Sequence, residues 1–366
     1  MPLSAGIIGL PNVGKSTLFN ALCSGKAAAE NYPFCTIDPN HGIVAIPDER
    51  LSRIASHIST GKIVPAFLEL IDIAGLVKGA STGAGLGNQF LGHIKDVDAV
   101  VHVVRCYDDN DVVHVDGSID PLRDVSIVQT ELLLKDLETA ERGVERLTKI
   151  AKSGEKEHKL KCAVFEKVRD ALGQGIVARD TANDEASRAA IAEMHLITIK
   201  PMLYVANVAL DDLSQTTRSA HFVKLSDHAA AQKIPCIPIC AKIEAELNEL
   251  PPPDRAEFLA SLGLKESGLA VLARAIYRLL DLETFFTFNE KELHAWTIRA
   301  GVTAPQAAGT IHTDFEKGFV KADVYSVDDL ATYGSETALR TTGRIRSEGR
   351  DYRVKDGEIL FFKFTS

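Results

Sequence analysis

The feature that most constrains the fold is a glycine-containing segment near the beginning of the chain. Residues 9–16 read GLPNVGKS and fit the pattern G-x-x-x-x-G-K-[ST]. An apolar run over residues 5–9 precedes the pattern, and a stretch follows it in which Leu18 and Leu22 share one helical face. This strand–loop–helix order is the context that a phosphate-binding P-loop requires. The segment therefore predicts a nucleoside triphosphate site at the end of a buried strand.

The residue types of this loop match the chemistry of phosphate binding. Gly9 and Gly14 let the backbone curl so that its N–H groups point at phosphate oxygens, and the helix N-terminus adds a partial positive charge. Lys15 can reach the β- and γ-phosphates as a point charge, which also makes it a candidate catalytic residue. The hydroxyl of Ser16 is a candidate Mg²⁺ ligand. The predicted nucleotide contacts of this loop are Asn12, Val13, Gly14, Lys15, Ser16 and Thr17.

Two further segments fit a Mg²⁺ site. Asp72 ends a second apolar run and is soon followed by Gly75. The carboxylate can hold the Mg²⁺ shell, directly or through water, while the Gly75 N–H meets the γ-phosphate. Thr36 lies between the two motifs in the loop PFCTIDP. Its hydroxyl suits a switch segment that completes the Mg²⁺ shell only while the γ-phosphate is present, and a simple turn threonine is the alternative.

Short apolar runs alternate with helical patterns over the first two-thirds of the chain. The runs cover residues 5–9, 66–72, 99–106, 202–207 and 234–240, and such nearly continuous apolar segments are typical of parallel strands buried on both faces. Two amphipathic helical patterns, over residues 126–152 and 160–172, interrupt the alternation and predict an antiparallel hairpin. The predicted class is α/β with a mostly parallel sheet. We expect a first domain over residues 1–282, with the helical insertion at about 124–198, and a small α+β domain over residues 283–366.

Composition excludes several classes of protein. The chain has 366 residues and a formal net charge of -9, which argues against attraction of the whole molecule to nucleic acid and against sequence-specific DNA binding. No apolar run approaches the roughly 18 residues needed to span a membrane, and the first ten residues do not read as a signal peptide. The six cysteines form no C-x-x-C pair and read as free thiols. We therefore expect a cytosolic protein without a membrane partner. Its oligomeric state is open, with a monomer as the default expectation.

With these residues placed, the chain closely resembles the YchF family, the Obg-like ATPases of the translation-factor GTPase class. The resemblance runs nearly end to end and includes residues 6–22, 31–40, 72–90, the helical hairpin, and the strings at 303–309 and 312–319. It implies a Ras-like nucleotide domain, an inserted coiled-coil hairpin and a C-terminal β-grasp (TGS) domain. It also implies a slow ATPase that acts as a nucleotide-dependent switch, with the ribosome or a ribosomal subunit as its expected partner.

The expected base is adenine. GTPases of this class read guanine with N-K-x-D, whereas here Asn207 is followed by Val208 and, at the fourth position, by Leu210. Guanine would leave its N1 and N2 donors without a carboxylate, at a cost of roughly 1–3 kcal/mol each. The family pattern is usually N-x-x-E, so Leu210 leaves the exact base contacts open while disfavouring guanine further. Cys240 and Ala241 are predicted to form the other wall of the base pocket.

The group that orients the attacking water is less clear from the sequence. Leu76 follows Gly75, and an apolar side chain cannot position water by hydrogen bonding. Hydrolysis is therefore slow, or another group acts. The resemblance implies that role for His114, the candidate catalytic residue, and a partly buried strand histidine is the alternative.

Three further alternatives stay open. Asn12 can help to hold a K⁺ ion beside the β- and γ-phosphates, or it can only brace the loop. A non-catalytic module that senses ATP is one rival to the ATPase, and it is favoured by Leu76. A true GTPase, which binds GTP more tightly than ATP, is the other.

Overall fold

The computed structural model describes residues 3–23, 40–73, 92–109, 111–112, 114–115, 117–151, 156–181, 184–213 and 218–365. Its strands, numbered along the chain, are β1 (Ser4–Ile8), β2 (His41–Ala45), β3 (Lys62–Val64), β4 (Phe67–Asp72), β5 (Ala99–Arg105), β6 (Met202–Asn207), β7 (Cys236–Ile239), β8 (Leu282–Phe288), β9 (Glu292–Arg299), β10 (Phe319–Ser326), β11 (Arg346–Glu348) and β12 (Glu358–Phe364). The helices used below are α1 (Lys15–Cys23), α2 (Glu49–Ala55), α3 (Pro121–Ala151), α4 (Lys156–Gly173), α5 (Glu185–Ala192), α6 (Ala220–Ala231), α7 (Ala241–Glu249), α8 (Pro252–Ser261), α9 (Gly268–Leu279), α10 (Ala304–Ile311), α11 (Thr313–Lys317), α12 (Val327–Tyr333) and α13 (Glu336–Thr341).

The first sheet has the strand order β2-β4-β1-β5-β6-β7. Every neighbouring pair in it is parallel except β2 and β4, which are antiparallel. All residues of β1 and β5 are buried, which explains why their sequences are apolar almost without interruption. The predicted α/β class with a mostly parallel sheet is confirmed. The carboxyl ends of β1, β4, β5 and β6 lie at one edge of this sheet.

The two long helices α3 and α4 pack along each other and form the predicted hairpin. Their contact face buries Val144 and Leu147 from α3 against Phe165 and Val168 from α4, in a small core separate from that of the first sheet. Helix α3 begins at Pro121, five residues before the start that the apolar spacing predicted. The first residues of the helix, Pro121-Leu122-Arg123-Asp124, mix apolar and charged side chains, so apolar spacing alone did not locate the start.

A second sheet, with the order β11-β10-β12-β8-β9-β3, contains the strands of the C-terminal segment. Helix α10 covers part of this sheet. Its buried alanines pack in the same core as Phe285, Phe319 and Leu360. One strand of this sheet is unexpected, because β3 comes from residues 62–64 and pairs in parallel with β9. An excursion between β2 and β4 therefore reaches from the first sheet into the second.

A continuous apolar core joins the two sheets. It runs from Ile7 and Leu18, through one face of α9, to Phe286 and Ile359 in the second sheet. Helix α9 contacts strands β5 to β8, and ion pairs add to this junction: Arg50 Nη1 lies 2.7 Å from Asp356 Oδ2 and Arg53 Nη2 lies 2.6 Å from Asp328 Oδ1. Within the described ranges, no helix is both long enough and apolar enough to cross a membrane.

Candidate nucleotide-binding site

The loop between β1 and α1 has the strained backbone that its glycines predict. Gly9 has φ +151° and Gly14 has φ +95°, and Asn12 lies in the left-handed region at φ +62°. A side chain at Gly9 would place its Cβ 2.4 Å from the carbonyl oxygen of Val103. Only glycine fits there, because the loop crosses so close to the end of β5. The turn carries the chain directly into the first residue of α1, with its backbone N–H groups at the helix end.

Lys15 is a buried cation in this loop. Its side chain is part of a residue only 7% exposed, and its Nζ donates to the carbonyl oxygen of Leu10 at 2.7 Å. Burial lowers the pKa of Lys15 to about 8, and the nearby negative charge of Asp72 opposes that lowering. The ammonium group of Lys15 can therefore exchange its hydrogen bond with the Leu10 carbonyl for one with a phosphate oxygen.

Ser16 and Asp72 bring two side-chain oxygen atoms together at the mouth of the loop. Ser16 Oγ donates to Asp72 Oδ2 at 3.3 Å, although 56 residues separate them in sequence. The other carboxylate oxygen, Asp72 Oδ1, is buried and has no hydrogen-bond partner among the residues that the structure describes. Burial raises the pKa of Asp72, while the charge of Lys15 and the hydroxyl of Ser16 lower it. An orphaned carboxylate oxygen beside a hydroxyl fits a hard cation such as Mg²⁺, which takes one or two protein ligands and completes its shell with phosphates and water.

Asn207 joins the phosphate loop to the segment after β7. Its Nδ2 donates to the carbonyl oxygen of Val13 at 2.9 Å, and its Oδ1 accepts from the backbone N–H of Ala241 at 3.1 Å. The Asn207 amide has a second N–H and a second lone pair beyond these two bonds. The close fit explains Gly14 as well, since a Cβ there would lie 2.4 Å from Asn207 Nδ2.

The other residues predicted to line the base pocket are Val208, Leu210 and Cys240. Val208 is buried and its N–H donates to the carbonyl oxygen of Ile239 at 2.9 Å. Leu210 begins a short 3₁₀ turn, Leu210–Leu213, and is 37% exposed. Cys240 is buried at the N-cap of α7, and burial raises the pKa of its thiol. Leu210 thus offers no carboxylate at the fourth position from Asn207, where the sequence pattern N-K-x-D would have one.

Several predicted residues lie outside the described part of the chain. These are Thr36, a predicted Mg²⁺ ligand, Gly75, a predicted γ-phosphate contact, and Leu76. Their roles stay predictions.

His114 lies in the loop between β5 and α3, not in a strand. It is buried, and its Nε2 lies 2.9 Å from Oδ2 of Asp124, a buried residue in the first turns of α3. Its predicted role toward the attacking water stays a prediction, since the contact seen in the structure is with Asp124.

Sequence reasoning missed Arg105, which organises the same loop. It is the last residue of β5, is 1% exposed, and donates to the carbonyl oxygens of Tyr107, Asp109 and Val112 at 3.1, 2.9 and 2.8 Å. Its guanidinium carbon also lies 4.7 Å from the centre of the Tyr107 ring. The sequence did contain a sign of this role, namely an arginine at the end of a largely apolar strand. A buried charge needs hydrogen-bond partners, so such an arginine is expected to bind nearby backbone carbonyls.

His102, in the middle of β5, is a second buried titratable group that the sequence did not single out. Burial, with the charge of Lys15 as a second cause, lowers the pKa of His102 to about 3, so the ring is neutral near pH 7. It stacks at an angle on Tyr204, with ring centres 5.5 Å apart. Its place is therefore in the core and not among the ligands.

A glycine-bounded loop that leads into a helix, a buried lysine within it and a serine–aspartate pair at its mouth occur together at the carboxyl edge of a parallel sheet. That arrangement defines the class of P-loop nucleoside triphosphatases.

Comparison with known proteins narrows this class to one family. Residues 4–136 match a family described as 50S ribosome-binding GTPase, and residues 282–365 match YchF-GTPase_C, a family of unknown function. A protein of Bacillus subtilis called ribosome-binding ATPase YchF is 44% identical over 364 residues and covers 100% of both chains. Its namesake in Escherichia coli O157:H7 is 46% identical over 100% of this chain and 99% of its own. The chain belongs to the YchF family, as its resemblance indicated.

Solved structures agree with this assignment. The YchF GTPase of Schizosaccharomyces pombe superimposes with a TM-score of 0.89 at 38% identity and covers 99% of this chain and 98% of its own. A GTP-binding protein of Pyrococcus horikoshii, at 19% identity and a TM-score of 0.63, shares the fold.

Proposed function

We propose that this protein is a Mg²⁺-dependent ATPase that works as a nucleotide-controlled switch and binds the ribosome. The observation that carries the proposal is the cluster of Lys15, Ser16 and Asp72, in which a buried cation and an orphaned carboxylate oxygen converge on one loop. Such a cluster is costly to bury without a ligand, and a magnesium-bound triphosphate would satisfy all of its members.

Ser16 and Asp72 are the residues that would hold the metal. A magnesium ion bound there would neutralise phosphate charge and so would favour phosphoryl transfer to water. The chain's own contribution is to position the nucleotide: Gly14 and the N–H groups at the start of α1 bind the phosphates, and Lys15 adds a charge at the β- and γ-phosphates. Asn207 holds Val13 and Ala241 at a constant separation and so keeps the phosphate and base sides of the site aligned.

Adenine is the base that this pocket favours. Leu210 offers no acceptor to the N1 and N2 donors of guanine, whereas the amide of Asn207 at the strand end has a further N–H and lone pair beyond its two bonds to the protein. The curated relatives are called ATPases, whereas the matched family model and the yeast structure are called GTPases, so base choice needs a direct measurement.

Competition between ATP and GTP for the purified protein tests this choice. We expect tighter binding of ATP by the wild type, and a shift of the ATP/GTP ratio toward GTP by roughly 10- to 100-fold in Leu210→Asp, because the new carboxylate pairs with guanine. Leu210→Asn is the matched control, since it has the same size without the charge. A wild type that binds GTP more tightly would contradict the proposal and favour the GTPase.

Hydrolysis itself is proposed to be slow, with His114 as the group that orients water. Single-turnover measurements compare the wild type, His114→Ala and Lys15→Ala. We expect ATP cleavage in the wild type, a reduced rate in His114→Ala with ATP still bound, and no binding in Lys15→Ala. If the wild type binds ATP but does not cleave it in the single-turnover measurement, the protein is an ATP-sensing module rather than an ATPase.

The ribosome is the proposed partner because the relatives at 44–46% identity over the full chain carry ribosome binding in their names. Sedimentation with ribosomes through a sucrose cushion, with a nonhydrolysable ATP analogue or with ADP, tests this part. We expect the fraction of protein that sediments with ribosomes to differ between the two nucleotides. We also propose that the protein is cytosolic and is a monomer when it is not bound to the ribosome. Equal binding to ribosomes with both nucleotides would refute the proposed switch, and no binding with either nucleotide would refute the ribosome as the partner.

A further inference from the structure

Helix α7 begins at the wall of the predicted base pocket and is held to the phosphate loop from its first residue. The backbone N–H of Ala241 donates to Asn207 Oδ1 at 3.1 Å. Asn207 Nδ2 in turn donates to the carbonyl oxygen of Val13, in the phosphate loop, at 2.9 Å. A shift of the first turn of α7 would therefore strain the contacts of Asn207 and, through them, the phosphate loop.

Glu244 joins the same turn of α7 to a second helix. Its backbone N–H donates to the carbonyl oxygen of Cys240 at 3.1 Å, and the residue is 2% exposed. Its Oε1 accepts a hydrogen bond at 2.6 Å from the N–H of Gly268, the first residue of α9. Burial raises the pKa of Glu244, and the N–H groups of Gly268 and Leu269 oppose that rise. The side chain of Glu244 is thus a buried acceptor for the start of α9.

The start of α9 fits closely around this acceptor. A side chain at Gly268 would place its Cβ 2.9 Å from Glu244 Oε1 and 3.3 Å from Cγ1 of Ile239, the last residue of β7. The glycine therefore lets its N–H reach Glu244 while the helix end rests against β7. The next donor along the helix end is capped separately, since the N–H of Ala270 donates to Ser267 Oγ at 3.2 Å. Loss of the Glu244 oxygen would leave the Gly268 N–H without its acceptor.

Helix α9 continues from this contact into the core that joins the two sheets. Leu272 and Ile276 are fully buried and belong to the same core as Phe286 of the second sheet. Near the other end of the helix, Tyr277 Oη lies 2.8 Å from Thr284 Oγ1 in β8. Strand β8 begins three residues after α9 ends. A displacement of α9 is therefore passed directly to the second sheet.

We propose that Glu244 is a positioning residue of the nucleotide site, and that its bond to α9 couples nucleotide binding to the helix that leads into the second sheet. The inference rests on the proposed function and deepens it, because it names a contact through which the switch reaches the C-terminal segment. A nucleotide that contacts Asn207 and the phosphate loop holds the first turn of α7 in place and so favours the bond between Glu244 and α9. The coupling is reciprocal: the factor by which nucleotide affinity falls when the contact opens is the factor by which nucleotide opposes its opening.

Isothermal titration of the full-length protein with a nonhydrolysable ATP analogue and Mg²⁺ tests the contact from both sides. Glu244→Met keeps an unbranched side chain of similar length without the acceptor, and Gly268→Ala keeps the acid but displaces its oxygen. We expect affinity to fall about 5- to 30-fold in Glu244→Met and at least about threefold in Gly268→Ala. Glu244→Gln, which keeps an acceptor oxygen, should stay within about twofold of the wild type.

The matched control for this titration is Glu246→Met, which replaces an exposed glutamate two residues further along α7. Its affinity for the analogue should stay within about twofold of the wild type, as expected of a surface substitution. Wild-type affinity in both Glu244→Met and Gly268→Ala would overturn the proposal.

A double variant separates one shared contact from two unrelated defects. The bond is already absent in Glu244→Met, so adding Gly268→Ala should change its affinity by less than about twofold. Losses that multiply would show that the two residues act independently and would overturn the proposal. Should Glu244→Met fail to fold, Gly268→Ala decides alone, and the proposal fails unless this variant binds the analogue at least about threefold more weakly than the wild type.

Hydrogen exchange of the Gly268 amide, resolved by NMR, measures the same coupling from the other end. We expect saturating analogue to slow this exchange in the wild type by about the factor that Glu244→Met loses in affinity, and to change it less than about twofold in that variant. The control is the amide of Ser187, which donates to the carboxylate of Asp184 at the start of α5, in the helical insertion. Equal slowing at both amides would show a general stabilisation. That result, or no slowing at Gly268, would overturn the proposal.

The two measurements distinguish failure of the coupling from failure of the proposed function. A wild type that binds the analogue but gives either of these exchange results refutes the coupling and leaves ATP binding intact. A wild type with no measurable affinity for the ATP analogue or its GTP counterpart refutes the proposed function, and the coupling is refuted with it.

Discussion

The buried lysine of the phosphate loop leads to a specific prediction about pH. Burial lowers the pKa of Lys15 from 10.5 to about 8 in the nucleotide-free protein, and the charge of Asp72 compensates only in part. At about 1.4 kcal/mol per pKa unit, the free protein bears a cost of about 3 kcal/mol for keeping this ammonium charged. A triphosphate places several negative charges beside it and raises its pKa again.

Affinity for the triphosphate must therefore fall as the pH rises above the pKa of the free protein. The bound state holds a proton on Lys15 that the free state has lost, so each binding event takes up a proton in the range above pH 8. The pKa of Lys15 is about 8 in the free protein and is expected to lie above 9.5 in the nucleotide-bound protein. The charged fraction of Lys15 in the free protein then predicts that ATP binds about 30-fold more weakly at pH 9.5 than at pH 7. Below the free pKa, Lys15 contributes no pH dependence.

Isothermal titration with a nonhydrolysable ATP analogue and Mg²⁺, at several pH values and in buffers of different ionisation enthalpy, measures both the affinity and the proton uptake. Lys15→Arg is the matched control, because a guanidinium stays charged over the whole range. We expect a weaker but pH-independent affinity for that variant. The reasoning is refuted if the wild type binds equally well at pH 7 and 9.5, or if Lys15→Arg declines in the same way.

Three other predictions follow from single contacts. Gly14→Ala should weaken ATP binding at least about 100-fold, because φ is +95° there and the Cβ would lie 2.4 Å from Asn207 Nδ2. Gly173→Ala, whose Cβ would meet no atom of the described residues within 4 Å, should bind ATP normally in the same titration. If Asn12 helps to hold K⁺, ATP cleavage is faster in KCl than in NaCl and Asn12→Ala abolishes the difference; equal rates in both salts speak against it. Arg50→Ala and Asp356→Ala should show a coupling of about 0.5–1 kcal/mol in a urea-unfolding double-mutant cycle, modest because Asp356 is half exposed, and strict additivity would contradict a link between the sheets.

Local pattern was sufficient for much of the fold. The phosphate loop is recognisable because its glycines, lysine and serine are close in sequence, and each is required by a backbone angle or by one ligand atom. The buried strands β1 and β5 follow from nearly continuous apolar runs, and α3 and α4 follow from apolar spacing on one helical face. Asp72 was singled out by its position at the end of a strand; the structure places its Oδ2 3.3 Å from Ser16 Oγ, and its role toward Mg²⁺ stays a prediction.

Other features depend on pairs of residues that are far apart in the chain. Asn207 reaches Val13 across 194 residues, and β3 leaves its neighbours in sequence to pair with β9 in the second sheet. The contact between His114 and Asp124 depends on how the loop after β5 is folded around Arg105.

What the sequence determined by itself was the set of local conformations: a loop that can curl around phosphate, strands that must be buried and helices with one apolar face. Only the tertiary structure decided which side chain satisfies each buried polar group, such as Asp124 for His114 and the loop carbonyls for Arg105. The physical reason is that backbone preference and apolar periodicity act over a few neighbouring residues, whereas a buried charge or hydrogen-bonding group takes its partner from whatever the packed core brings within reach.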